Sequence, residues 1–93
     1  MLTLNDLNNC FDEAIQAGAE YIGVIVKNYE HKREEIIINH RDNFTFKKDY
    51  YNNAYNQDLQ LNRVSHIRII GFAYGFSFSD LEDAIQDQIR ELS

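Results

Sequence analysis

Four side chains in this 93-residue chain could ligate a transition metal: Cys10, His31, His40 and His66. A zinc site needs about four N or S ligands converging on one point, and pairs such as CxxC or HExxH deliver two of them from one element. No such pair occurs here, so the four read as exposed histidines and a small buried thiol. No metal and no cofactor is expected. Glu30-His31-Lys32 has the E-x-K spacing of metal-dependent nucleases but falls in a turn, without a strand-borne Asp before it. Nucleophilic catalysis needs a Ser, Thr or Cys activated by a neighbouring base. Ser77 and Ser79 sit where a helix begins and read as caps, while Cys10 beside Phe11 reads as packing. Glycines 18, 23, 71 and 75 stand singly and build no phosphate loop. No catalytic residue is assigned, and the chain is not expected to be an enzyme.

Charge is the feature that discriminates. Residues 1–26 carry Asp6, Asp12, Glu13 and Glu20 with no Lys or Arg, and residues 69–93 carry five acids against Arg90 alone. The middle holds six acids and eight Lys or Arg, within a formal net charge of −6. Acidic ends repel phosphate and attract basic surfaces, so the expected partner is a protein with a basic surface and not a nucleic acid. Asp80, Asp83, Asp87 and Glu91 recur at three or four residues, which sets their carboxylates in one row on a helix. A row of this kind can imitate a nucleic-acid backbone in a Lys/Arg-lined groove. Asp6, Asp12 and Glu13 would extend its field. Lys27, Lys32, Arg33, Arg41, Lys47 and Lys48 are diluted by intervening acids and read as a mixed-charge solvated surface.

Aromatic residues supply the apolar anchors. Tyr50, Tyr51 and Tyr55 are separated by Asn52, Asn53 and Asn56. Tyr51 and Tyr55 share a helix face with Ala54 and point to the core edge, whereas Tyr50 and the asparagines are contact candidates. Phe72, Tyr74, Phe76 and Phe78 alternate, and one face of a small sheet cannot bury all four. Phe76 is the second anchor.

The elements that must position these residues follow from periodicity. Leu4, Leu7, Phe11, Ala14 and Ile15 predict a first helix capped by Thr3 and stopped at Gly18. Tyr21–Asn28 and Glu34–His40 predict a hairpin, residues 44–58 a second helix, and His66–Tyr74 a third strand. Ser79-Asp80-Leu81-Glu82 has the form of a capping box, and Leu81, Ala84, Ile85, Ile89 and Leu92 make the stripe of a third helix. The expected fold is a single compact α+β domain over residues 1–93, order α-β-β-α-β-α, a three-stranded sheet with helices mainly on one face. With 44% hydrophobic residues the chain can build one core. Its apolar runs fall far short of the roughly 20 residues of a membrane helix. Nothing in Met1–Cys10 resembles a secretory signal, and the single cysteine suits a reducing compartment, so a cytoplasmic location is expected.

The stretch Phe46-Lys47-Lys48-Asp49-Tyr50-Tyr51 through Asn56-Gln57-Asp58-Leu59, followed by Ile67–Gly75, resembles small proteins encoded by bacteriophages and prophages. In size, acidity and lack of an enzymatic motif the chain is also similar to anti-CRISPR proteins, which bind RNA-guided nucleases and often block the DNA groove with carboxylates. That second likeness is one of character, and no binding residues carry over from it. The resemblance implies a phage inhibitor acting in the bacterial cytoplasm on a basic groove of a defence nuclease, a CRISPR effector foremost. The alternative is a homo-oligomeric phage structural or accessory protein, such as a homodimer, associating through its Tyr and Phe clusters.

Overall fold

A computed structural model describes residues 1–92. Thr3 opens the first helix, α1 (Leu4–Ala17), with a reciprocal capping box: its hydroxyl accepts from the Asp6 N–H while the Asp6 carboxylate accepts from the Thr3 N–H at 2.8 Å. Gly18 ends it at φ +73°, a left-handed conformation that glycine enters without steric cost. Strand β1 (Tyr21–Asn28) then turns into β2 (Arg33–His40) through residues 29–32, where Asn28 Oδ1 accepts the N–H groups of Glu30 and His31. A short 3-10 turn, Arg41–Asn43, leads into α2 (Phe44–Ala54).

α2 ends four residues earlier than periodicity predicts. Tyr55 is already extended, Asn56 Oδ1 accepts from the N–H of Asp58 and of Gln60, and Leu59 turns back at φ +65°. This local side-chain turn outcompetes another helical turn. The strand β3 (Ile67–Gly75) and the helix α3 (Phe78–Leu92) complete the chain. The α3 cap is Ser77, whose hydroxyl accepts from the Asp80 N–H at 3.1 Å, two residues before the expected Ser79.

The sheet is antiparallel throughout, in the order β2-β1-β3. The domain is α+β, with the element order α-β-β-α-β-α as expected. Two helices share one sheet face. Leu4, Leu7, Phe11 and Ala14 of α1 and Phe44 and Tyr51 of α2 pack on Ile22, Val24 and Ile69 in the larger core. α3 lies alone on the other face, where Leu81 and Ile85 pack on Ile25. β1 therefore buries both its sides, which accounts for its almost unbroken apolar run. Ile15, expected in the α1 stripe, is 49% exposed. No helix among the described residues is long and apolar enough to cross a membrane.

Two glycines set how close α3 comes. A Cβ on Gly23 would meet Ile85 Cδ1 at 2.9 Å, and a Cβ on Gly75 would meet the Leu81 backbone N at 2.5 Å. Bare backbone at both positions lets the helix sit down on the sheet.

Candidate functional site

The outer face of α3 carries the acidic row. At about 100° per residue, Asp80, Asp83, Asp87 and Glu91 fall within about 80° of one another and span about 16 Å of helix. All four are exposed. On the inner side Leu81 and Ile85 are almost fully buried and seat the helix on the sheet. Asp87 lies 3.6 Å from Arg90 in an exposed pair, the kind that contributes at most about 1 kcal/mol. Among the described residues, Asp80 and Asp83 make no ion pair.

The acids of α1 are placed differently. Asp6 is engaged with Thr3 at the helix start, and Asp12 takes a 2.8 Å ion pair from Lys48 of α2. Glu13 remains exposed. Since α1 and α3 occupy opposite sheet faces, the two acidic ends do not merge into one face. They flank β3 instead, where Asp6 and Glu13 of α1 and Gln88 of α3 border one groove along Phe72, Ala73 and Tyr74. Cys10 lines the same groove but is an inert nucleophile, because burial pushes its thiol up to about 12 and the Glu13 carboxylate adds to the shift.

The basic residues of the middle segment are largely matched by acids and rings. Lys27 lies 4.0 Å from Glu34 and over the Tyr29 ring, Arg41 lies 3.6 Å from Glu20, and Lys47 sits over the Tyr50 ring. His40 bridges Glu20 at 2.7 Å and accepts the Asp42 N–H, while His66 faces Glu30 at 3.5 Å. Among the described residues no three His, Cys, Asp or Glu side chains are grouped to hold a metal ion.

Tyr51 and Tyr55 are core residues, and burial raises both phenols, that of Tyr55 to about 12. Tyr50 is half exposed on α2, edge-on to Tyr51. The asparagines expected at a contact surface have structural tasks. Asn52 exchanges side-chain hydrogen bonds with Asn8, tying α2 to α1; the Asn53 carbonyl accepts from Asn62; Asn56 builds the turn after α2. Phe76 is 54% exposed at the end of β3, and Phe78, 59% exposed, stacks on Tyr21 at 4.4 Å.

Sequence reasoning missed one surface. α3 packs over β3 and β1 and leaves the adjoining face of β2 open, so Ile36 and Ile38 are nearly half exposed beside Phe78, Leu81 and Ile85. The signal was present in Ile36-Ile37-Ile38, a run apolar on both sides in a strand at the sheet edge, where α3 does not reach. No family model, curated protein or solved structure matches the chain.

Proposed function

We propose that this protein is a non-enzymatic binding domain whose α3 row occupies a basic, nucleic-acid-type groove on a protein partner, as in the phage inhibitors it resembles. One observation carries the reading: Asp80, Asp83, Asp87 and Glu91 are exposed together on one helix, with Arg90 the one basic residue of that helix. Uncompensated carboxylates at helical spacing form a local negative field that steers a basic surface and fixes its register. Glu13 adds to this field from beyond β3, whereas Asp6 and Asp12 already have partners. Tyr50 and Phe76 offer apolar contact outside the row. The target class is a nucleic-acid-processing protein of the bacterial cytoplasm, with a CRISPR effector first in line.

The test is capture from bacterial lysate by the tagged protein, washed at low and high salt and identified by mass spectrometry. A nucleic-acid-processing protein retained at low salt and lost at high salt is the expected result, because exposed charges are screened beyond about 8 Å at physiological ionic strength. Asp83→Lys with Asp87→Lys should abolish that capture while leaving the circular dichroism spectrum unchanged. Capture that survives the double reversal would refute the acidic-row mechanism.

A further inference from the structure

The second open surface lies at the other edge of the sheet. β2 is an edge strand of eight residues without proline, and its register with β1 runs unbroken from Arg33 to His40. Proteins commonly blunt such an edge with charged side chains, a bulge, a proline or a covering segment; β2 has charges at Arg33, Glu34 and Glu35 but three isoleucines at its centre. β3, the opposite edge, has a bulge and a cover: a register shift opposite Ile25/Val26, and a segment in which the Leu59 carbonyl accepts from the Ile69 N–H and the Leu61 N–H donates to the Ile67 carbonyl. Among the described residues nothing covers β2.

Which backbone groups point outward follows from the ladder. The Arg41 N–H donates to the Glu20 carbonyl and the Tyr29 N–H to the His66 carbonyl. Even-numbered residues of β1 therefore bond to β2, through its odd-numbered residues, and odd-numbered residues of β1 bond to β3. By alternation Glu34, Ile36, Ile38 and His40 direct their N–H and C=O away from the sheet. The same four side chains lie on the α3 face, where Ile36 and Ile38 are 45% and 48% exposed.

We infer that β2 pairs antiparallel with β2 of a second copy, about a two-fold axis at Ile37, to form a continuous six-stranded sheet. Hydrogen bonding admits only registers that set even residues opposite even residues. Among these, the side chains at the outward-bonded positions favour one. Centred on Ile37, Ile36 faces Ile38 of the second copy and Glu34 faces His40, each contact occurring twice. At the strand ends Arg33 faces Arg41, a like-charge pair, and Lys32 faces Asp42, of opposite charge, so the preference rests on the central pairs. A register centred on Glu35 sets two carboxylates directly against each other, and one centred on Ile36 sets Glu34 and Glu35 against isoleucines. Centring on Ile38 brings Glu34 towards Asp42. Cross-strand like charges are destabilising, whereas opposite charges and β-branched pairs are favourable. Four outward pairs, exchanging two bonds each, give about eight new backbone hydrogen bonds. The interface is isologous and closed, so it ends at a dimer. Both α3 helices then lie on one side of the sheet, with the exposed isoleucines of the two copies meeting between them. This interface is separate from the acidic row and stands whether or not that row binds a partner.

Light scattering on the intact protein over a concentration series reads the assembly. A mass of twice 11.0 kDa is expected, returning to the monomer mass in Ile36→Lys with Ile38→Lys and remaining dimeric in Asp83→Lys with Asp87→Lys. Two single-cysteine substitutions test the register without disturbing the apolar patch. Ile37→Cys sits on the two-fold at a non-hydrogen-bonded pair, with Cα atoms about 4.5 Å apart, and should cross-link on mild oxidation. Glu35→Cys, four residues from its own copy, should not. A monomer at every concentration overturns the inference, as does a dimer that persists in the double lysine variant. A dimer broken by Phe76→Ala or Tyr50→Ala but not by the lysines would assign assembly to the aromatic clusters and overturn it equally. Cross-linking through Glu35→Cys and not Ile37→Cys would refute the register.

Discussion

Replacing Gly23 by alanine places a methyl 2.9 Å from Ile85 Cδ1 and 3.2 Å from Leu81 Cδ1, where carbon atoms prefer about 3.5–4.0 Å. Overpacking of this order costs about 1–3 kcal/mol, offset by about 0.4–1 kcal/mol from the stiffer unfolded chain, so Gly23→Ala should lose about 0.5–2 kcal/mol. Ile85→Val removes the clashing Cδ1 and alone costs about 0.5–1.5 kcal/mol. Combined, the new methyl fills the space the lost one vacates. The double variant should then be about as stable as Ile85→Val alone, a favourable coupling of about 1 kcal/mol in a double-mutant cycle. Gly75→Ala differs in kind. Its methyl meets Leu81 N at 2.5 Å, Leu81 Cα at 2.8 Å and the Asp80 carbonyl carbon at 3.0 Å, all backbone, so the start of α3 must move bodily. A loss of about 3 kcal/mol is expected, which no truncation at Leu81 or Ile85 relieves. For a chain whose total stability is about 5–14 kcal/mol that loss is large, and it shifts Tm by about 12–24 °C. Urea unfolding followed by far-UV circular dichroism, at constant m-value, measures every member of the series. Strict additivity of Gly23→Ala and Ile85→Val, or a Gly75→Ala variant milder than Gly23→Ala, would refute this account of how α3 is seated.

Tyr51→Phe deletes the hydroxyl that accepts from the buried Asn39 amide at 3.4 Å; because the same amide also donates to the Ile22 carbonyl at 3.1 Å, the cost should be about 1 kcal/mol, read as a lowered urea midpoint. Alkaline stability follows from Cys10 and Tyr55, both raised to about 12 from 9.0 and 10.0. Each keeps its proton in the folded state after the unfolded chain has released it, so their contribution is complete below about pH 9 and is lost as pH rises from there to 12. Cys10→Ala should flatten that decline, and the native thiol should resist disulfide reagents at neutral pH until the protein is unfolded.

Residues acting within one element were readable from spacing alone. The Leu92 side chain lies outside the described residues; the α1 capping pair, the Gly18 stop and the inward-facing Leu81 and Ile85 of α3 appear where the sequence puts them, because each depends on bonds or periodicity inside a few residues. So does the carboxylate row of Asp80, Asp83, Asp87 and Glu91. Helix ends were less legible where a side chain competes with the helix: Asn56 ends α2 early, and Ser77 captures the α3 cap ahead of Ser79.

What the chain order could not decide is which sheet face each helix takes. That choice depends on the twist of the strands and on where bare backbone admits a helix, at Gly23 and Gly75, and it separates α3 from α1. The consequences for the site are long-range. Asp12 meets Lys48, 36 residues away, and Asn8 meets Asn52 across 44, so acids and amides that looked available in sequence hold helices together. Local composition determined which charges exist and which share a helix face. Tertiary packing alone decided which stay uncompensated, and left Ile36 and Ile38 open on an unguarded strand edge, because burial and pairing depend on surfaces that only the folded chain brings together.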